Sequence, residues 1–194
     1  PAAVENLNAS FTDNSLVGKV AFTAPTATYA GGTLSGQLSY YVMVGNDTLA
    51  TGKTYPGAFV RETVTVPEGV TTFRVTIANE VGSSPENKVK VYVGNDEPTQ
   101  VKDVNLAIDP ETGVAKLTWS PVTTGINGGY IGNITYNVVR YPDSTTVATG
   151  LAATEFTETF SAEEPLQTYS YGVAAVNDTQ TGVAGISNKS VFGA

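Results

Sequence analysis

The chain is written twice, and this constrains its fold more than any other feature. Residues 1–96 and 97–194 carry the same landmarks in the same order. Pro1 and Val4 answer to Pro98 and Val101, Phe22 answers to Trp119, and the stretch 38–44 (LSYYVMV) answers to 134–140 (ITYNVVR). LATG at 49–52 recurs as VATG at 147–150, and residues 87–94 recur as the shorter 188–193. The offset drifts between 96 and 98, as small loop insertions between similar strands produce. Solenoid units are only roughly 20–50 residues long, so a repeat of this size is a whole domain. Two domains are predicted, 1–96 and 97–194, each large enough to bury a core without metal or disulfide support.

Both halves read as antiparallel sheet. Short stretches rich in Val, Thr, Tyr and Ile alternate with polar residues and are broken by Gly, Asn, Asp and Pro, and no stretch holds a helical stripe. The alternation predicts strands at 4–11, 17–23, 37–45, 48–52, 58–66, 70–79 and 87–93. In the second half it predicts 101–108, 113–119, 133–141, 145–149, 154–160, 167–177 and 186–192. Seven short strands per half suggest a sandwich of two sheets. Val20, Phe22, Leu117 and Trp119 should then point inward, with Lys19 and Lys116 outward. Gly94-Asn95-Asp96-Glu97-Pro98 has the composition of a short linker, which its proline would make semi-rigid.

Composition removes several function classes. The chain has no cysteine, so disulfides, zinc–thiolate sites and thiol nucleophiles are excluded. It has no histidine, which removes the commonest general base and metal ligand, and with them serine triads of the usual type. A net charge of −8 without a basic stripe disfavours nucleic acid and anionic lipid as partners. No apolar run approaches the roughly 18 residues of a membrane span. Starting at Pro1, without signal peptide or initiator methionine, the chain reads as a mature or excised piece of a larger protein.

The second half resembles a fibronectin type III domain. The resemblance rests on a proline-led first strand, Leu117-Thr118-Trp119-Ser120-Pro121, Tyr136-Asn137-Val138-Val139-Arg140, and LQTYSYGVAAVN at 166–177. Trp119 matches the family's second-strand tryptophan. Leu166, Tyr169, Tyr171, Val173, Ala175 and Asn177 match its tyrosine-corner segment, which implies that Tyr169 buries its ring while its hydroxyl reaches a backbone group. The first half is a divergent copy: Phe22 stands where Trp is usual, and either Thr71 or Phe73 falls at the corner. The resemblance implies an all-β chain of two immunoglobulin-like, seven-stranded sandwiches in tandem. It also implies an extracellular or cell-surface location, roles as spacer, scaffold or protein-binding module, and no catalytic residues or cofactor.

Candidate sites are few. The adjacent carboxylate pairs Asp96-Glu97 and Glu163-Glu164 are not ready dyads, because neighbours on an extended chain point to opposite sides; solvated turn residues are the simpler account. Asn95, Asp96, Glu97 and Asp103 offer oxygen ligands for calcium, but their spacing matches no established loop. Sequons occur at Asn8, Asn46, Asn133, Asn177 and Asn188, at a frequency expected by chance in a chain this rich in Asn, Ser and Thr. Asp47-Thr48-Leu49 and Asp143-Ser144-Thr145 resemble the O-glycosylation signal of Bacteroidetes and place Thr48 and Ser144 as candidates in equivalent turns. A hairpin turn whose Asp bonds its own backbone accounts for both without a sugar. The aromatics outside the expected core are Tyr29, Tyr55, Tyr130 and Tyr141. The long loops 26–36 and 123–132 each hold a Gly-Gly, so Tyr29, Gly31 and Gly32, with Gly128, Gly129 and Tyr130, form a candidate ligand surface. The function expected is a non-enzymatic scaffold or adhesion spacer of a bacterial surface or secreted protein, with lipoprotein anchoring of the parent as one route to the surface. The alternative is a glycan- or protein-binding accessory module of a carbohydrate-processing system.

Overall fold

A computed structural model describes all of residues 1–194 and contains strands but no helix. No helix is therefore long and apolar enough to cross a membrane. The chain divides into two compact units, Pro1–Asn95 and Asp96–Ala194.

The first unit contains β1 (Glu5–Phe11), β2 (Val17–Thr23), β3 (Leu38–Val44), β4 (Asp47–Thr54), β5 (Phe59–Thr65), β6 (Gly69–Ala78) and β7 (Asn87–Val93). They form two antiparallel sheets, ordered β1-β2-β5 and β4-β3-β6-β7. Alternation along each strand sends every second side chain into the space between them. Val20 and Phe22 enter from one sheet, and Tyr40, Val42, Phe73, Val75 and Ile77 from the other. Phe22 meets Tyr40 edge-on at 5.5 Å between ring centres.

The second unit repeats the plan with β8 (Asn105–Ile108), β9 (Val114–Thr118), β10 (Thr135–Tyr141), β11 (Thr145–Leu151), β12 (Glu155–Thr159), β13 (Gln167–Val176), β14 (Gly185–Ile186) and β15 (Ser190–Phe192). Its sheets are β12-β9-β8 and β11-β10-β13-β14, with β15 also on β13. Leu117 and Trp119 face inward, and Trp119 meets Tyr136 edge-on at 5.4 Å, as Phe22 meets Tyr40. The chain is all-β, with two immunoglobulin-like sandwiches in tandem along the sequence.

Three local features differ from the sequence reading. The predicted strand 186–192 is two short strands, giving this unit eight. Between them the Asn188 side chain turns away to bond both backbone groups of Leu106, across the edge of the other sheet. Asn87 in the first unit makes the shorter form of the same tie, donating to the Val4 carbonyl. The predicted strand 101–108 begins only at Asn105, because Asp103 adopts φ 57° and breaks the extended run. The third difference concerns the tyrosine corner. Tyr40 pairs with Ile77 and Tyr136 with Ala175, so Thr71 occupies the position of Tyr169, and Phe73 that of Tyr171.

Tyr169 itself departs from the expected role. Its ring is buried and stacks on Phe160 at 4.3 Å, but its hydroxyl makes no hydrogen bond to a backbone group, and Leu166 is exposed. Tyr171 carries the polar contact instead, its hydroxyl donating to Glu158 from a fully buried ring. Burial, and then the Glu158 hydrogen bond and charge, hold the Tyr171 phenol well above its ordinary pKa. We expect Tyr169→Phe to change unfolding free energy by less than about 0.5 kcal/mol. Tyr171→Phe should cost about 1.5–2 kcal/mol through loss of a hydrogen bond to a charged group. Equal costs in chemical denaturation would refute this assignment.

Candidate functional site

The loops that sequence analysis singled out leave from the ends of paired strands. In the first unit, Thr23 at the end of β2 pairs with Phe59 at the start of β5. Leu38 at the start of β3 pairs with Thr54 at the end of β4, and Ser39 pairs with Ala78 at the end of β6. The segments 24–37, 55–58 and 79–86 therefore emerge at one end of the sandwich. The Gly-Gly loop is ordered by its own bonds. Thr28 N–H donates to the Gly32 carbonyl at 2.7 Å, Gly31 N–H to the Thr28 carbonyl at 3.0 Å, and Gly32 N–H to Thr28 Oγ1 at 2.9 Å. Leu34 is buried and roots the loop in the core. Gly31 has φ 93°, which explains glycine there by backbone conformation. Tyr29 projects at the tip with 81% of its surface exposed.

The corresponding loop of the second unit is organised around a residue that reads as linker in the sequence. Asp96 is fully buried, and its carboxylate accepts four hydrogen bonds. Asn127 N–H at 2.8 Å and Gly129 N–H at 2.9 Å reach Oδ2; Asn127 Nδ2 at 2.9 Å and Glu97 N–H at 2.8 Å reach Oδ1. Its backbone N–H donates to the Tyr130 carbonyl at 2.7 Å, and its carbonyl accepts from Asn177 Nδ2 at 2.9 Å. Burial alone would raise the Asp96 pKa, but the bonds from Asn127, Gly129 and Glu97 outweigh it and hold the carboxyl below its ordinary value. Asp96 is thus neither a solvated turn residue nor a calcium ligand: its oxygens face N–H dipoles, whose positive ends repel a cation. Asp103 is also engaged, accepting from Ser120 Oγ at 2.7 Å. The boundary between the units accordingly falls before Asp96, one residue earlier than predicted.

This clamp also fixes the second Gly-Gly. Gly129 supplies one of the donors, and Gly128 takes φ 72° to present it. Gly125 is glycine for lack of room, since a Cβ there would lie 2.3 Å from Asp96 Oδ2. Tyr130 is less available than Tyr29, with 40% of its surface exposed. The two Gly-Gly loops are therefore built by different devices, a threonine turn in one unit and a buried aspartate in the other. Asp96 escaped the sequence reading because its loop partners Asn127 and Gly129 lie 31–33 residues away and follow no period.

The opposite end of the second unit holds its main charge network. Arg140 donates Nη1 to Glu158 at 2.9 Å and Nη2 to Asp143 at 2.7 Å, and its guanidinium lies 5.7 Å from the Phe160 ring centre. Bonds from Arg140 and Thr145 pull the Asp143 carboxyl down to about 2. Arg140, Asp143, Phe160, Glu164 and Tyr169 line a shallow groove of about 430 Å³. Glu158 and Asp143 are both paired with Arg140, an arrangement that holds charge rather than moving protons. A like device sits inside the first unit, where Tyr40 donates to Glu62; burial first, then Glu62, push the phenol up to about 12.

Thr48 and Ser144 are both exposed, in the hairpins β3–β4 and β10–β11. Their motifs are out of step. Val44 pairs with Asp47, and Arg140 with Thr145, so the counterpart of Asp47 is Thr145, while Asp143 lies in the turn and is held mainly by Arg140. Two of the sequons are structural: Asn177 caps the loop after β13 by accepting from Thr179 and Gln180 N–H, and Asn188 is tied to Leu106. Asn79 does in the first unit what Asn177 does in the second, accepting from Val81 and Gly82 N–H.

No protein-family model and no curated protein sequence matches the chain. Among solved structures it is similar to the chicken CNTN1 FN1–FN3 domains, with 14% identity and a TM-score of 0.44, over 100% of this chain and 67% of that one. It is also similar to a Fn3-like protein from Clostridium thermocellum, with 26% identity and a TM-score of 0.35, over 49% of this chain and 88% of that one. The fold class stands on the strand order, the pairing registers and the two separate cores.

Proposed function

We propose that the chain is a non-catalytic pair of modules serving as spacer and adhesion scaffold within a larger bacterial surface or secreted protein. The observation that carries this reading is the fastening of the chain where the units join. Asn95 is held by the first unit, its N–H on Glu68 Oε1 at 2.6 Å and its carbonyl accepting from the Tyr92 hydroxyl at 3.0 Å. The next residue, Asp96, is buried in the second unit. The residues at the junction are thus each bonded within their own unit, which suits a spacer that must resist proteolysis. The exposed Thr48 and Ser144 are available for O-linked sugars on such a surface protein, and the intact mass of native material reads their presence directly.

Limited digestion with proteinase K tests the scaffold reading. The native chain should survive whole, because cleavage between 93 and 99 requires local unfolding of one unit. Rapid nicking there would overturn the spacer role, and turnover of any polysaccharide or peptide substrate by the purified chain would overturn the non-catalytic one.

A further inference from the structure

We infer that the first unit carries a binding platform for a neutral glycan, formed by Tyr29, Tyr55 and Phe59. It stands beside the scaffold role and does not depend on it. These side chains belong to two separate segments, the β2–β3 loop and the β4–β5 turn, and the strand pairing brings both to the end where β2, β4 and β6 finish. The segment 55–58 is bonded to the Gly-Gly loop's root: Gly57 N–H donates to the Ala24 carbonyl at 3.0 Å and Ala24 N–H to the Ala58 carbonyl at 2.9 Å. The aromatic surfaces are open, at 81% for Tyr29, 59% for Tyr55 and 69% for Phe59.

Chemistry selects the ligand. Residues 24–37 and 54–59 contain no charged side chain. Of the nearby charges, Lys53 donates to Ser39 and Glu86 pairs with Arg74, while Glu80 is an exposed carboxylate on segment 79–86. Segments 24–37, 55–58 and 79–86 carry no Lys or Arg, so the end has little to attract an anionic ligand. It offers flat apolar faces among hydroxyls from Thr26, Thr28, Thr33 and Ser35. A sugar ring has the complementary form, an apolar C–H face bordered by hydroxyls. Leu34 is buried and Val81 is the one large aliphatic exposed on these segments, so the apolar surface at this end is mainly flat aromatic face. The bonded loop holds Tyr29 in place before any ligand arrives, which lowers the entropy lost on binding.

The second unit lacks the constellation. Its β11–β12 connection is Ala152-Ala153-Thr154, and Tyr130 has no exposed aromatic partner there. Tyr130→Ala is therefore an internal control.

Affinity electrophoresis of the whole chain in native gels tests the inference, with mixed-linkage β-glucan, arabinoxylan and galactomannan as neutral probes. Retardation is expected in at least one. The triple variant Tyr29→Ala, Tyr55→Ala, Phe59→Ala should migrate as if no polysaccharide were present, while Tyr130→Ala is retarded like the parent. Unchanged thermal melting shows the triple variant folded; should it melt early, Tyr29→Ala alone serves, with affinity about tenfold weaker. Absence of retardation in all three gels, full retardation of the triple variant, loss of binding in Tyr130→Ala, or sedimentation showing self-association through this end would each overturn the assignment.

Discussion

Asp96→Ala should lower the stability of the second unit by about 3 kcal/mol, given several hydrogen bonds to one buried charge. The variant removes the acceptor for Asn127 N–H, Asn127 Nδ2, Gly129 N–H and Glu97 N–H together. Asn127 is exposed and regains water, which keeps the loss below the sum of four bonds. Asp96→Asn should recover less than half, because its amide nitrogen meets donors where the carboxylate met them with oxygen. Gly125→Ala should cost a similar amount from the other side, by forcing Asp96 away. Trp119 is the only tryptophan, so its fluorescence in urea reports the second unit alone. A change below about 1 kcal/mol for Asp96→Ala would refute the clamp.

The same clamp has an acid signature. The folded Asp96 pKa lies below its unfolded value of about 3.9. Its stabilisation is therefore fully present above that value and disappears as pH falls through the lower folded value. Asp143, lowered to about 2, acts in the same direction, although solvent screens it more. Stability curves of the parent and Asp96→Ala should accordingly converge below pH about 4. A constant gap down to the acid limit would mean that charge plays no part.

Trp119→Ala should cost about 3–5 kcal/mol, through lost burial and the cavity it leaves. Trp119→Phe should cost much less, about 1–2 kcal/mol. The first unit shows why: Phe22 fills the equivalent place against Tyr40 at 5.5 Å, where Trp119 sits 5.4 Å from Tyr136. The indole Nε1 is moreover buried without a hydrogen-bond partner, so replacing it with a ring edge removes an unfavourable burial. Circular dichroism follows both variants in the absence of the fluorophore. Equal losses for the two substitutions would show that the site demands an indole.

What the residues disclose in advance follows their period. Val20, Phe22, Leu117 and Trp119 face inward as alternation requires, because a strand alternates whatever it packs against. The duplication and the strand pattern depend on neighbours in sequence, and both are visible without coordinates. Other outcomes depended on contacts that carry no local mark. Asp96 looks like linker until the loop 125–130 closes over it. Tyr169 looks like a corner until its hydroxyl is found without a backbone partner and Tyr171 is found holding Glu158. Tyr29 and Tyr55 stand out singly as aromatics beyond the core, whereas Phe59 hides inside an ordinary strand pattern. Only the pairing of β2 with β5, and of β3 with β4 and β6, sets the three at one end. Sequence by itself thus determined two all-β sandwiches and which faces they bury, since burial repeats every second residue. Tertiary structure alone decided what holds each loop and which aromatics reach the same end, since those contacts span tens of residues and have no period.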